Sequence, residues 1–128
     1  MENELYFDGG CWPNPGGHGK SGIIINTGTR THTISKDLGK HPWMTNNIAE
    51  WEGLIAGLKE CILLKIDELK VYGDSNIVIM QAQGKWKCKA QHLKKYVVEC
   101  RELIMKFKKI EFEWIDREMN YVADELTR

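Results

Sequence analysis

The sequence predicts an α/β fold: a five-stranded mixed sheet, three strands antiparallel and two parallel, flanked by helices. Three observations carry that expectation. The N-terminal third holds apolar or alternating runs divided by glycine-rich turns. From Ile48 onward the apolar residues switch to helical spacing. After that helix, Leu69-Lys70-Val71-Tyr72-Gly73 returns to a short buried run, and a helical crossover makes such a strand parallel to an earlier one.

Leu5-Tyr6-Phe7-Asp8-Gly9-Gly10 starts apolar and ends on an acid followed by glycines, the pattern of a buried strand running into a turn. Cys11 to Gly19 is that turn. Ser21 to Asn26, with Ile23-Ile24-Ile25, is a second strand. Thr27-Gly28-Thr29 turns the chain, and Arg30 to Leu38 alternates as a third. Short turns make these three an antiparallel meander. Thr45 can cap a helix whose Ile48, Trp51, Leu54, Ile55, Leu58, Ile62 and Leu63 recur at helical spacing. Leu69 to Gly73 is the fourth strand, ending at Asp74, and a helix from Ser75 to about Gln83 follows. Lys89 to about Phe107 reads as a longer helix with Leu93, Tyr96, Cys100 and Leu103 on one face. Ile110 to Ile115 alternates as the last strand, and Asn120 opens a short terminal helix. Trp51 and Trp114 fall on core-facing positions, while Trp12 and Trp43 read as packing residues.

The 128 residues suit one domain, 1–128, with a single core; 42% are hydrophobic and 28% charged. No apolar run approaches the roughly 20 residues of a membrane span, and no basic-then-apolar leader opens the chain. Cys11, Cys61, Cys88 and Cys100 are widely spaced, without a C-x-x-C pair. That spacing disfavours a zinc site and points to a reducing, cytoplasmic setting, with a Cys61–Cys100 bridge the one pairing left open. Net charge is zero, yet residues 85–109 hold nine Lys/Arg against Glu99 and Glu102. A basic segment beside an acidic remainder suits a polyanion lying next to a carboxylate cluster, although a solvated helix face reads the same way.

Four acids stand out against this framework. Asp8 and Asp74 end two strands that the crossover makes parallel neighbours, Glu50 lies near the start of the first long helix, and Asp124 lies in the terminal one. An isolated Asp-Gly is more often a turn or a cap. Four carboxylates converging from separate elements cannot all stay ionised in a partly buried site without cations. Hard oxygen ligands without His or Cys nearby point to Mg²⁺, with Mn²⁺ as substitute. Two such ions can activate a water and stabilise the leaving oxygen of a phosphodiester.

Four blocks in this order resemble the type 1 ribonuclease H family: Phe7-Asp8-Gly9-Gly10-Cys11 with Asn14-Pro15-Gly16; Thr45-Asn46-Asn47-Ile48-Ala49-Glu50; Gly73-Asp74-Ser75; and Asn120-Tyr121-Val122-Ala123-Asp124-Glu125-Leu126. Each is weak alone, but together they span nearly the whole chain. The resemblance implies the ribonuclease H-like fold. It also implies an endonuclease, most simply a monomer, that cuts the RNA strand of RNA–DNA hybrids with two metal ions, leaving 5′-phosphate and 3′-hydroxyl ends. Asp8, Glu50, Asp74 and Asp124 would be its catalytic, metal-binding carboxylates. Asn14, Asn46 and Asn47 would meet RNA 2′-hydroxyls, which amides can both donate to and accept from, and Thr45 would lie near a DNA phosphate. Asn76 would join the substrate contacts.

Two departures from the family's bacterial pattern matter. The loop before the last aspartate reads Ile115-Asp116-Arg117-Glu118-Met119-Asn120 and has no histidine, as in the archaeal and retroelement-like branch. His18, His32, His41 and His92 lie in other blocks and read as surface or structural. The separate basic handle is reduced to Gly84-Lys85-Trp86-Lys87-Cys88-Lys89, whose lysines around an aromatic suit phosphates and sugars. Trp86 as a core lid with solvated lysines is the competing reading there. Two other functions fit the fold: a catalytically silent hybrid- or duplex-binding module, and a resolvase or exonuclease. Retention of all four acids disfavours the first, and the Thr-Asn-Asn block disfavours the second.

Overall fold

A computed structural model describes residues 2–128. Five strands form one sheet: β1 (Glu4–Trp12), β2 (His18–Asn26), β3 (Thr31–Lys40), β4 (Glu68–Gly73) and β5 (Lys109–Trp114). Their order is β3-β2-β1-β4-β5. β1, β2 and β3 pair antiparallel, and β4 pairs parallel with both β1 and β5. This is the expected mixed sheet. The helices are α1 (Asn46–Leu63), α2 (Asn76–Ala82), α3 (Lys94–Ile104) and α4 (Tyr121–Glu125).

The two faces of β1 explain the layering. Leu5 and Phe7 point to one side and are fully buried with Ile23, Ile25, Leu69 and Val71 under α1. Trp51, Leu54 and Leu58 of α1 meet them, so the helix buries the stripe that its sequence period marks. α1 lies unusually close to β1. A Cβ added to Gly9 would sit 2.2 Å from the Ala49 backbone, and one on Gly53 would sit 3.0 Å from the Asp8 carbonyl. The buried Ser21 hydroxyl donates to the Ala49 carbonyl at 2.7 Å and ties the same turn of α1 to β2. On the opposite face α4 covers β1 and β2, where a Cβ on Gly22 would meet the Ala123 carbonyl.

Several sequence expectations need correction. β1 runs on to Trp12 and β2 starts at His18, because the hairpin pairs through Trp12↔His18 and confines the turn to residues 13–17. The helix expected from Lys89 starts only at Lys94, after a 3-10 turn at Gln91–Leu93, and ends at Ile104. The segment before it is held out of helix by its own bonds: Lys85 and Trp86 donate to the Met80 carbonyl, and the Gln81 side chain donates to the Lys87 carbonyl at 3.2 Å. Trp114 is exposed rather than core-facing. It ends β5 beyond the reach of the packed helices, and its indole N–H donates to the Asp74 carbonyl at 3.0 Å. Trp12 and Trp43 are not packed either: Trp12 is 83% exposed, and Trp43 stacks on His41 while largely open to solvent. Trp86 is exposed too, which removes the core-lid reading. All four cysteines are free, so Cys61 and Cys100 do not form a bridge.

Candidate active site

The four acids meet at one edge of the sheet. Asp8 extends from β1 and Asp74 follows the end of β4. These two strands run parallel with Phe7 opposite Gly73, so both chains deliver a carboxylate at the same end. Glu50 reaches them from the second turn of α1, at the height set by the glycine contacts with β1. Asp8, Glu50 and Asp74 each place a carboxylate oxygen within 4.8 Å of the others. Asp124 from α4 completes the lining of a cleft of about 190 Å³, with Asn46, Arg117 and Thr127 on its walls.

Two features hold the acids in place. The buried Asn120 amide donates to the Phe7 carbonyl at 2.8 Å and to Asp74 Oδ2 at 3.1 Å, linking β1 to the Asp74 carboxylate. Arg128 Nη2 donates to Asp124 Oδ2 at 2.8 Å, and Arg117 Nη2 lies 3.5 Å from the other oxygen. Electrostatics divide the acids accordingly. Burial, with Asp74 and Asp124 nearby, pushes Asp8 up to about 7. Burial and the facing Asp8 raise Glu50 well above its ordinary value. Burial also raises Asp74, against the hydrogen bond from Asn120. Burial would raise Asp124 as well, but the bonds it accepts from Arg128 and Asp8, with the Arg117 charge, hold it below its ordinary value. Glu50 Oε2 is buried and has no hydrogen-bond partner among the described residues. A clustered, all-oxygen donor set with a buried orphan acceptor fits a hard divalent cation.

The expected substrate residues fall into two groups. Asn14 Oδ1 accepts from the Asn46 N–H at 3.1 Å, and Asn46 Oδ1 accepts from the Cys11 N–H at 2.7 Å. Those bonds fasten the β1–β2 turn to the start of α1 and leave both exposed NH₂ groups without a partner among the described residues. Thr45 caps α1, accepting from the Ile48 N–H at 3.1 Å. Asn47 Oδ1 is buried without a partner among the described residues. Asn76 is exposed at the start of α2, behind its cap Ser75. Lys85, Trp86, Lys87 and Lys89 are exposed in the segment between α2 and α3. Lys85 faces a different hollow, of about 590 Å³, shared with Arg101 and Phe112. Sequence reasoning missed the positioning roles of Asn120, Arg117 and Arg128. Arg128 alone had a usable signal, its i+4 spacing from Asp124 in the terminal helix.

The fold and the carboxylate edge define a class: a mixed-sheet protein whose clustered acids could hold a metal ion. Residues 6–128 match the family model described as "Reverse transcriptase-like". The chain is 37% identical over 126 residues to the Mycobacterium tuberculosis "Bifunctional protein Rv2228c", covering 98% of this chain but 34% of that protein. It thus spans about a third of that relative's length. The solved RNase H1 of Halobacterium salinarum superposes with a TM-score of 0.89 at 30% identity, covering 98% of this chain and 93% of that one. LC11-RNase H1, solved in complex with an RNA/DNA hybrid, gives 0.86 at 32% identity, over 98% and 93%. The chain belongs to the type 1 ribonuclease H family.

Proposed function

We propose that this chain forms one ribonuclease H domain that hydrolyses the RNA strand of RNA–DNA hybrids, leaving 5′-phosphate and 3′-hydroxyl ends. The observation that carries this reading is the meeting of Asp8, Glu50 and Asp74 within 4.8 Å, with Asp124 on the same cleft. A family relative solved with an RNA/DNA hybrid supports the substrate class. Two Mg²⁺ ions, or Mn²⁺, held by the four carboxylates would neutralise their charge and activate the attacking water. The chain's own groups do the rest. Asn120 fixes the direction of Asp74. Arg117, on the cleft wall, offers a guanidinium to an entering phosphate. The free NH₂ groups of Asn14 and Asn46 meet 2′-hydroxyls, which distinguish RNA from DNA. Thr45 and Asn47 flank them at the start of α1, Asn76 lies beside Asp74, and Lys85, Trp86, Lys87 and Lys89 take the more distant phosphates. The domain acts as a cytoplasmic monomer.

The test is incubation with labelled RNA–DNA hybrid, double-stranded RNA and double-stranded DNA, in Mg²⁺ and in chelator. Cutting of the hybrid's RNA strand in Mg²⁺ alone is expected. Asp74→Asn keeps the shape but removes one charge and a metal ligand. Its cleavage should fall at least about 10²-fold, roughly 3 kcal/mol of barrier, while hybrid affinity holds or rises. Near wild-type cleavage by Asp74→Asn would reject the carboxylate mechanism. Hybrid binding without any cutting would leave a silent binding module.

A further inference from the structure

β5 ends the sheet on one side and pairs with β4 alone. Its inner edge is marked by two bonds at the ends of the strand. The Lys109 and Ile115 N–H groups donate to the Asp67 and Gly73 carbonyls at 3.1 and 2.9 Å. Backbone groups alternate between the two edges of a strand, so Glu111 and Glu113 also turn inward. Ile110, Phe112 and Trp114 therefore turn their N–H and C=O groups outward, where no strand among the described residues pairs with them. From the first to the last of these is about 13 Å.

An open edge is a template for another chain, and natural proteins usually cover or twist it. Here it borders a hollow of about 590 Å³. Lys70 and Glu111 reach the hollow from one face of the sheet, Ile110 and Phe112 from the other. A hollow that touches both faces wraps the edge between them, which is the place an added strand would occupy. Its walls offer two kinds of contact. Ile104 and Met105 of α3 stand with Ile110 and Phe112 on the helix side, and Met105 is 83% exposed. Lys85 and Arg101 add positive charge, and neither has an acidic partner among the described residues. The Arg101 guanidinium is seated against Gly84, where an added Cβ would sit 2.6 Å from its Nη2. The one acid of the hollow, Glu111, is already taken by Lys70 at 3.5 Å and Lys109 at 3.7 Å. No residue of the carboxylate cleft lines this hollow.

We infer that this edge is a docking site for an extended acidic segment of a partner protein, which adds to β5 as a sixth strand of the sheet. The outward backbone groups of Ile110 and Phe112 bond its main chain. Its alternate side chains lie along Ile104 and Met105 and bring a carboxylate to Lys85 and Arg101. Strand addition draws affinity from main-chain bonds and specificity from the pockets that receive alternate side chains. Charge selects the occupant. A second copy of this chain would bring another Lys85 and Arg101 to the same edge, and like charges repel there. A nucleic acid has no main-chain N–H and C=O at strand spacing and would leave the edge groups unpaired. The inference does not depend on the nuclease reading.

The probe is a capped peptide of about nine residues that alternates threonine with valine and aspartate, titrated into the full ¹⁵N-labelled chain in chelator. A second peptide carries lysine for aspartate. With the acidic peptide, the amide signals of Ile110 and Phe112 should shift and their hydrogen exchange should slow by about tenfold or more. Glu111 and Glu113, already bonded to β4, should keep their exchange rates. The lysine peptide should bind at least about tenfold more weakly. Lys85 also serves the proposed hybrid contacts, so Arg101 is the residue altered. Arg101→Gln should weaken the acidic peptide by about fivefold, with an unchanged thermal midpoint and wild-type hybrid affinity. Absence of binding by the acidic peptide, equal binding of the lysine peptide, or shifts in α3 without protection of Ile110 and Phe112 overturns the inference. An Arg101→Gln variant that loses hybrid affinity and keeps peptide affinity also overturns it, and makes the hollow part of a nucleic-acid surface.

Discussion

Asn120 shows how much one buried amide can control. Its NH₂ bridges the Phe7 carbonyl on β1 and the Asp74 carboxylate beyond β4, so it sets the separation of two of the acids. Asn120→Ala would leave a buried carbonyl unpaired, at a cost of about 1–3 kcal/mol in stability. It would also free Asp74 to rotate. Cleavage should fall by tenfold or more while hybrid affinity stays within a few-fold, because misplacement of a reacting group harms turnover more than binding. A lower thermal midpoint with unchanged kcat would make Asn120 structural only. At this scale the acids were legible in the sequence and their supports were not. Asp8, Glu50, Asp74 and Asp124 lie in, or just after, elements that apolar periodicity locates. Asn120 is marked only as the residue that opens the terminal helix; its bonds are not, since its partners lie 113 and 46 residues away in the chain. The tryptophans misled for a related reason: alternation identifies a side of a strand, and only the neighbouring helices decide whether that side is covered.

At the scale of elements, the placement of α1 governs the site. Glu50 reaches Asp8 because Gly9 lets the helix backbone close on the strand. In Gly9→Ala the new methyl would meet helix backbone, which has no rotamer to escape into. The helix must shift, at a cost of about 1–3 kcal/mol, and Glu50 shifts with it. Both the thermal midpoint and cleavage should fall. Retained activity with a wild-type midpoint would show that the contact is slack. The lysine segment between α2 and α3 makes the complementary case. Periodicity extended α3 back to Lys89 because it registers apolar spacing and is blind to side-chain bonds such as Gln81 to Lys87. Those bonds display Lys85, Lys87 and Lys89 on a fixed loop. Replacing all three with Ala should flatten the log-affinity against log-salt slope by about two to three units. An unchanged slope would return them to the solvated surface.

For the molecule as a whole, the site is a concentration of negative charge that the fold tolerates by holding protons. In the metal-free protein Asp8 titrates near 7 against an ordinary 3.8, and Glu50 and Asp74 are also raised. Below about pH 4 these groups are protonated both folded and unfolded, so they impose no penalty. As pH rises from there toward 7, the unfolded chain releases protons that the folded site retains, and stability is lost across that window. Asp124 works in the opposite sense, since its depressed value adds stability above 3.8 that disappears only in stronger acid. It therefore does not offset the decline between pH 5 and 8. In chelator the thermal midpoint should fall over that range, following a loss of stability on the order of a few kcal/mol. Saturating Mg²⁺ should abolish the fall, because a cation that binds the ionised cluster of the folded state stabilises it by mass action. Glu50→Gln removes one of the raised acids and should flatten the chelator profile without Mg²⁺. A midpoint that is level or climbs from pH 5 to 8 in chelator would mean that the carboxylates are not crowded as the geometry places them.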